Sequence, residues 1–116
     1  MEYPVNIFTA LSDSIRLRSL ALLDREGELC VCELTHALQA NQPNISKHMA
    51  ALRDSGLVRV RRDAQWVLYS IAPELPQWVR DAVAAAVTGV SEERIHGEDI
   101  ERLKTLATRP ARNRVA

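Results

Sequence analysis

Cysteine is scarce in this chain. Of its 116 residues two are cysteines, Cys30 and Cys32, and both fall in one heptad, Glu-Leu-Cys-Val-Cys-Glu-Leu over 28–34. With no secretory signal to point to an oxidising compartment, and with a bridge over one intervening residue short and strained, the sequence predicts free thiols. Aromatics are few, two Trp, two Tyr and one Phe, so the core of this one-domain chain is modest and a dimer interface could supply missing burial. No apolar run approaches the roughly 20 residues of a membrane span. The start Met-Glu-Tyr-Pro-Val lacks a basic segment and a cleavage site, and the expectation is a soluble cytoplasmic protein with no membrane partner. The chain also lacks a CxxC at a strand-to-helix junction, a Ser/His/Asp set and a glycine-rich phosphate loop, so an enzyme is not expected.

Net charge is lacking as well, the formal value being zero, which argues against holding nucleic acid by bulk charge. The charges are nevertheless uneven. Residues 1–41 carry three basic and six acidic side chains, residues 42–71 five basic and two acidic, residues 72–108 four and seven, and the segment from Arg109 three and none. The basic third is a local footprint of the kind phosphate contacts require.

What is present is helical periodicity. Val5 to Leu11 is a short candidate helix, followed by one over 13–25 with Ile15, Leu17, Leu20, Leu22 and Leu23 facing a core; Arg16 and Arg18 read as solvated or phosphate-facing. A third helix is expected from about Val31 to Gln39. Ala40-Asn41-Gln42 then makes a turn, Pro43 opens a fourth helix whose buried stripe is Ile45, Met49 and Leu52, and Gly56 ends it. Leu57–Arg61 and Trp66–Ile71 form a β-hairpin joined through Arg62-Asp63-Ala64-Gln65. An alanine-rich helix over 77–90 and a further helical piece over 97–107 complete the pattern, with Arg109, Arg112 and Arg114 in a basic tail read as disordered. The small-residue face of 77–90, with Val5 to Leu11, is the expected seam of a homodimer through the first and last helices of the domain.

This is a mainly α fold with a small β-hairpin, in the order α-α-α-α-β-β-α: a winged helix-turn-helix. The expected boundaries are a DNA-binding and dimerisation domain over 1–95 and a C-terminal extension over 96–116. In that geometry the second helix of the motif enters the major groove, and its first residues face base edges. Here these are Gln42, Asn44, Ser46 and Lys47, with Arg53 further along the helix and Arg61, Arg62 and Gln65 on the wing. Gln and Asn pair with adenine, whereas Lys, Arg and Ser serve bases or phosphates, so the expected partner is double-stranded operator DNA.

Two thiolates close together chelate soft, thiophilic ions. The spacing is awkward, since residues two apart point about 200° away from each other in a helix and to opposite faces in a strand. On that argument chelation by Cys30 and Cys32 needs a bend in the backbone or an unwound first helical turn, which would make binding a switch that moves the reader helix. The combination of Glu-Leu-Cys-Val-Cys-Glu-Leu, Gln-Pro-Asn-Ile-Ser-Lys-His-Met and Leu-Arg-Asp-Ser-Gly-Leu-Val resembles the ArsR (ArsR/SmtB) family of metal-sensing repressors, most closely its arsenical-responsive members, over roughly residues 5–90.

The resemblance implies a homodimer that needs no cofactor, holds the operator of an arsenic-resistance operon in its apo form, and releases it when trivalent arsenic or antimony is captured by Cys30 and Cys32. Members with this heptad often carry a third cysteine where this chain has Thr35. With only two sulfurs per site, methylated or aryl arsenicals are expected to bind at least as well as arsenite. His36, although adjacent, is a poor third ligand for trivalent arsenic. The spacing of Asp, His and Glu ligands that the family's zinc sensors carry on the last helix is absent from 77–95, His96 beyond it stands alone, and His48 reads as packing or DNA-backbone contact. The competing expectation is a thiol-redox or persulfide repressor of the same fold.

Overall fold

The computed structural model describes residues 1–107 and Arg109. Asp13 sets the first corner. Its extended backbone ends α1 (Glu2–Leu11), and its carboxylate accepts the Arg16 N–H at 3.1 Å, capping α2 (Ser14–Glu26). Gly27, at φ 87°, stops α2 in a conformation that a side chain would disfavour. A two-residue strand β1 (Leu29–Cys30) leads directly into α3 (Val31–Leu38). Asn41 caps α4 (Gln42–Asp54) by accepting the Asn44 N–H at 2.9 Å, and Pro43 lies in the first turn, where no intrahelical partner for its nitrogen is needed. Strands β2 (Val58–Asp63) and β3 (Trp66–Ile71) follow, then α5 (Gln77–Ser91) and α6 (Arg94–Lys104).

The sheet is antiparallel in the order β1-β3-β2, with Cys30 opposite Leu68 and Val60 opposite Tyr69. The helix-turn-helix and its wing are therefore present as the sequence predicts. Four features differ in detail. Strand β2 runs from Val58 through Arg62 and Asp63, which pair with Val67 and Trp66, so the connection expected over Arg62-Asp63-Ala64-Gln65 is only Ala64 and Gln65. The strand β1 was not anticipated, because two residues are too few to show alternation. Helix α1 begins at Glu2 rather than Val5, with Pro4 tolerated in its opening turn. Helix α6 begins at Arg94 rather than 97 and ends at Lys104. Of the basic tail only Arg109 is described; the expectation of disorder for the remainder lies outside the described residues.

The core joins Ile7, Leu20, Leu22 and Leu23 to Leu29, Leu34, Ile45, Met49, Leu52, Leu57 and Val79, all buried. Helix α6 is tied into it through a carboxylate with no solvent exposure: Asp99 accepts from Arg18 Nε at 2.9 Å and Nη2 at 2.8 Å, and from Arg102 Nη2 at 2.6 Å. Arg18 and Arg102 also donate to the Leu38 and Ala37 carbonyls at 3.2 and 2.7 Å, satisfying the open C-terminal end of α3. Arg18 is thus a structural cation, not the solvated or phosphate-facing one expected. Its hydrogen bond to Asp99 raises its pKa above the ordinary value against the opposing effect of burial.

Candidate thiol site and nucleic-acid interface

Cys30 ends β1 and is the N-cap of α3, with extended backbone (φ −84°, ψ 165°), while Cys32 is the second residue of the helix. The spacing rules for a uniform helix or a uniform strand therefore do not apply, because the pair straddles the junction. An N-cap side chain folds back over the first helical turn, which brings the Cys30 sulfur to that of Cys32. The Cα atoms are 5.4 Å apart and the two sulfurs are joined as a disulfide. The expectation of free thiols is corrected, and of the two backbone departures expected for convergence, a bend or an unwound turn, the structure has the bend. A bridge across one residue does form, and the sulfurs meet with the first turn of α3 intact.

That turn is held by a reciprocal cap. The Cys30 sulfur accepts the Glu33 N–H at 3.4 Å, and Glu33 Oε1 accepts the Cys30 N–H at 2.9 Å. Glu33 has no solvent exposure, and Cys30 is buried while Cys32 is half-buried. The other Glu33 oxygen accepts from Arg109 Nε at 2.5 Å, and Arg109 also reaches Glu26 at 3.3 Å. Sequence reasoning passed over Glu33 and read Arg109 as part of a disordered tail, where the structure instead pairs it. The spacing of Cys30 to Glu33 is that of a capping box and could have revealed Glu33, whereas nothing local marks Arg109.

A cavity of about 720 Å³ opens beside the sulfurs. Its walls include Cys30, Cys32, Thr35 and His36 from the α3 end, Gln42 and Ser46 from the start of α4, and Arg62, Gln65, Trp66, Val67 and Tyr69 from the wing. Among the described residues, no group of three or more His, Cys, Asp or Glu could hold a metal ion.

Of the residues assigned to DNA, Gln42, Lys47, Arg62 and Gln65 are exposed, and Asn44 and Ser46 are partly so. Gln42 Nε2 donates to Ser46 Oγ at 3.0 Å, presenting the two as one polar edge. Gln42, Ser46, Arg62 and Gln65 are brought together around the cavity, and Asn44 and Lys47 share their helix. The remaining two lie apart. Arg53, at the opposite end of α4, pairs with Asp54 at 3.3 Å. Arg61 forks onto Glu28 at 2.6 and 2.7 Å, and that hydrogen bond raises its pKa. His48 sits against α2: its Nδ1 is 3.0 Å from Arg16 Nη1, which can only donate, and 3.5 Å from Asp13. Arg16 also donates to the Ala10 carbonyl at 2.7 Å, so it too is structural.

A separate apolar face remains open on α1 and α5. Tyr3, Val5, Phe8 and Trp78 are exposed, with the Trp78 ring 5.6 Å from Tyr3 and 6.4 Å from Phe8. Among the described residues no helix is long and apolar enough to cross a membrane.

Comparison with known proteins agrees with this geometry. The model of the bacterial regulatory protein, arsR family, matches residues 13–60. The arsenic resistance transcriptional regulator ArsR1 of Pseudomonas putida is 48% identical over 107 residues, covering 92% of this chain and 82% of that protein. The chain belongs to the arsR family. A further member, the arsenical resistance operon repressor of Escherichia coli K12, is 43% identical over 83 residues, 72% of this chain and 71% of its own length. Among solved structures, the homodimeric winged helix-turn-helix DNA-binding domain of Mb0332 from Mycobacterium bovis superposes with a TM-score of 0.64 at 30% identity, covering 80% of this chain and 82% of that one. These arsR-family relatives are transcriptional regulators and not enzymes, and the winged helix-turn-helix of this chain places it among DNA-binding proteins.

Proposed function

We propose that this arsR-family protein is a cytoplasmic, homodimeric repressor of an arsenic-resistance operon. It holds operator DNA in its metalloid-free form and lets go when the reduced Cys30 and Cys32 take trivalent arsenic or antimony. One observation carries the reading: the strand-to-helix junction brings the two sulfurs together beside a cavity whose other walls are the start of α4 and the wing. Two thiolates so placed chelate without distortion of α3, and the N-terminal end of that helix favours their negative charge. Gln42, Asn44, Ser46 and Lys47 read or anchor the operator from α4, and Arg62 and Gln65 do so from the wing. Arg53 and Arg61 serve phosphate only if they release Asp54 and Glu28.

The bound element is left with a third position that no cysteine fills. Thr35, half-buried on the cavity wall, supplies no thiol there, and Val31, Trp66 and Val67 give the cavity an apolar side. An organic substituent on the arsenic suits that side, so methyl and aryl arsenicals should bind at least as well as arsenite. Dimerisation uses the open face of α1 and α5, where Tyr3, Phe8 and Trp78 of two copies bury one another.

The bonded sulfurs favour a second reading, a thiol-redox repressor of the same fold. In it both thiols are oxidised to the disulfide by a two-electron oxidant such as hydrogen peroxide, which is reduced to water as it takes up the two electrons and two protons. A gel-shift series on the DNA upstream of the protein's own gene separates the readings. Release of reduced protein by arsenite, antimonite or phenylarsine oxide, lost in Cys30→Ser and Cys32→Ser, supports the metalloid sensor. Release by peroxide alone, or by zinc and cadmium in preference, refutes it, and arsenite exceeding the aryl arsenical by a wide margin rejects the organic-substituent part.

A further inference from the structure

A carboxylate shut away from water is costly unless charge and hydrogen bonds compensate it. Glu33 is such a group, and two of the hydrogen bonds that compensate it fall on different oxygens. Oε1 accepts the Cys30 N–H at 2.9 Å and Oε2 accepts Arg109 Nε at 2.5 Å, from a residue 76 positions away in sequence. Burial opposes the charge on Arg109, but the hydrogen bonds and charges of Glu33 and Glu26 outweigh it.

The approach of Arg109 is ordered. Arg102 Nε donates to the Ala37 carbonyl at 2.7 Å, Thr105 Oγ1 meets His36 Nε2 at 2.8 Å, and Arg109 meets Glu33. As the residue numbers rise along the extension, the partners descend α3 from its C-terminal to its N-terminal end. These contacts thus run antiparallel along the cysteine-bearing helix, and Arg109 reaches the thiol turn.

We propose that Arg109 is a positioning residue for the thiol pair: by clamping Glu33 it holds Cys30 in the N-cap conformation that brings its sulfur to that of Cys32. The proposal rests on the reading in which these thiols take a metalloid. Without the clamp, the Glu33 carboxylate loses that charged partner and its hold on the Cys30 N–H weakens, and with it the hold on the extended backbone of Cys30. Each thiol stays reactive by itself. What is lost is their convergence, and so the bidentate grip.

The test uses the reduced full-length protein with Arg109→Gln, Arg109→Lys, Glu33→Gln and the double variant Glu33→Gln/Arg109→Gln. Three quantities are read: the dissociation constant for phenylarsine oxide, the rate at which iodoacetamide alkylates each cysteine singly, and operator affinity. Arg109→Gln should weaken phenylarsine oxide binding roughly 10-fold, the low end for groups that orient metal ligands, with single-thiol alkylation no slower and operator affinity unchanged. Arg109→Lys, which keeps the charge but not the planar fork, should fall between. On the Glu33→Gln background, Arg109→Gln should add less than about twofold, because both act through one contact.

Binding by Arg109→Gln within twofold of the unaltered protein overturns the proposal. So does an undiminished loss on the Glu33→Gln background, or a parallel loss of operator affinity, which would make Arg109 a general brace. Failure of the unaltered protein to bind phenylarsine oxide sinks the proposed function and this inference with it. Normal binding that Arg109→Gln leaves unmoved sinks the inference alone.

Discussion

Cys30 both caps α3 and supplies a sulfur, and two substitutions separate these roles. In Cys30→Ser a hydroxyl oxygen stands where the sulfur accepts the Glu33 N–H, while Cys30→Ala leaves that N–H without its partner. Both variants remove the same sulfur from a site 1% exposed, so the lost packing is common to the two and largely cancels in their comparison. The remaining difference is the cap, about 1 kcal/mol between serine and alanine. For a chain of this size that is roughly 4 °C in melting temperature. Scanning calorimetry of the two reduced variants at equal protein concentration measures it, with the serine variant expected to melt higher.

The same pair tests chelation. Serine rescues the helix start but not a soft ligand, so both variants should stay on the operator at an arsenical concentration that fully releases the unaltered protein. Melting temperatures within about 1 °C of each other would refute the capping role. Full release of either variant would remove Cys30 from the site, whatever the calorimetry shows.

Asp99→Ala leaves Arg18 and Arg102 facing one another without their carboxylate. Breaking a buried pair costs about 3–5 kcal/mol, and since both arginines keep some solvent access the low end, about 3 kcal/mol, is expected in urea unfolding; a change below about 1 kcal/mol contradicts the packing argument. Trp78→Ala acts twice in a two-fold interface, at about 2 kcal/mol each time, so the dimer dissociation constant should rise on the order of 10³-fold by sedimentation equilibrium. An unchanged constant places the seam elsewhere. Asn44→Ala should cost about 1–3 kcal/mol of operator preference over mismatched DNA, whereas Arg62→Ala should weaken all sequences alike and reduce the salt slope by about 1. Identical behaviour of the two variants refutes the division between base and phosphate contacts. Saturating operator DNA should weaken phenylarsine oxide binding by the same factor by which the arsenical weakens operator binding, roughly 5 to 150-fold for ordinary coupling; equal arsenical affinity with and without operator means that release runs through another equilibrium, such as dimer dissociation.

Much of this architecture was readable because its signals are local and periodic. The Ile45, Met49 and Leu52 stripe, the Asn41 cap with Pro43 behind it and the stop at Gly56 each act within a few residues, and α4 follows from them. The wing likewise follows from alternation between Val58 and Ile71. What escaped was of two kinds. Cys30 and Cys32 were judged by rules for a uniform element, and a two-residue strand that becomes a helix obeys neither rule. Arg18, read as solvated or phosphate-facing, and Arg109, read as part of a disordered tail, were misplaced because their partners Asp99 and Glu33 lie 81 and 76 residues away and nothing in a single sequence links such pairs.

The corrected geometry changes what the proposed switch has to do. If capture had to unwind the first turn of α3, part of the binding free energy would go into breaking a reciprocal cap, and the reader would move because its support had collapsed. With the sulfurs convergent beforehand, that cost disappears and α3 stays intact as a rigid wall. The signal must then travel through the contents of the cavity. In the proposed function a group held on the two sulfurs would share the cavity with Gln42 and Ser46 on one side and Arg62 and Gln65 on the other, the side chains assigned there to DNA. Occupied volume there is what would shift the wing against the start of α4 in the proposed switch, and a coupling of about 1–3 kcal/mol is enough to change operator affinity roughly 5- to 150-fold. A preformed thiol pair is therefore compatible with a strong response, provided that the ligand's third substituent, and not the collapse of a helix, is what the DNA-facing residues feel.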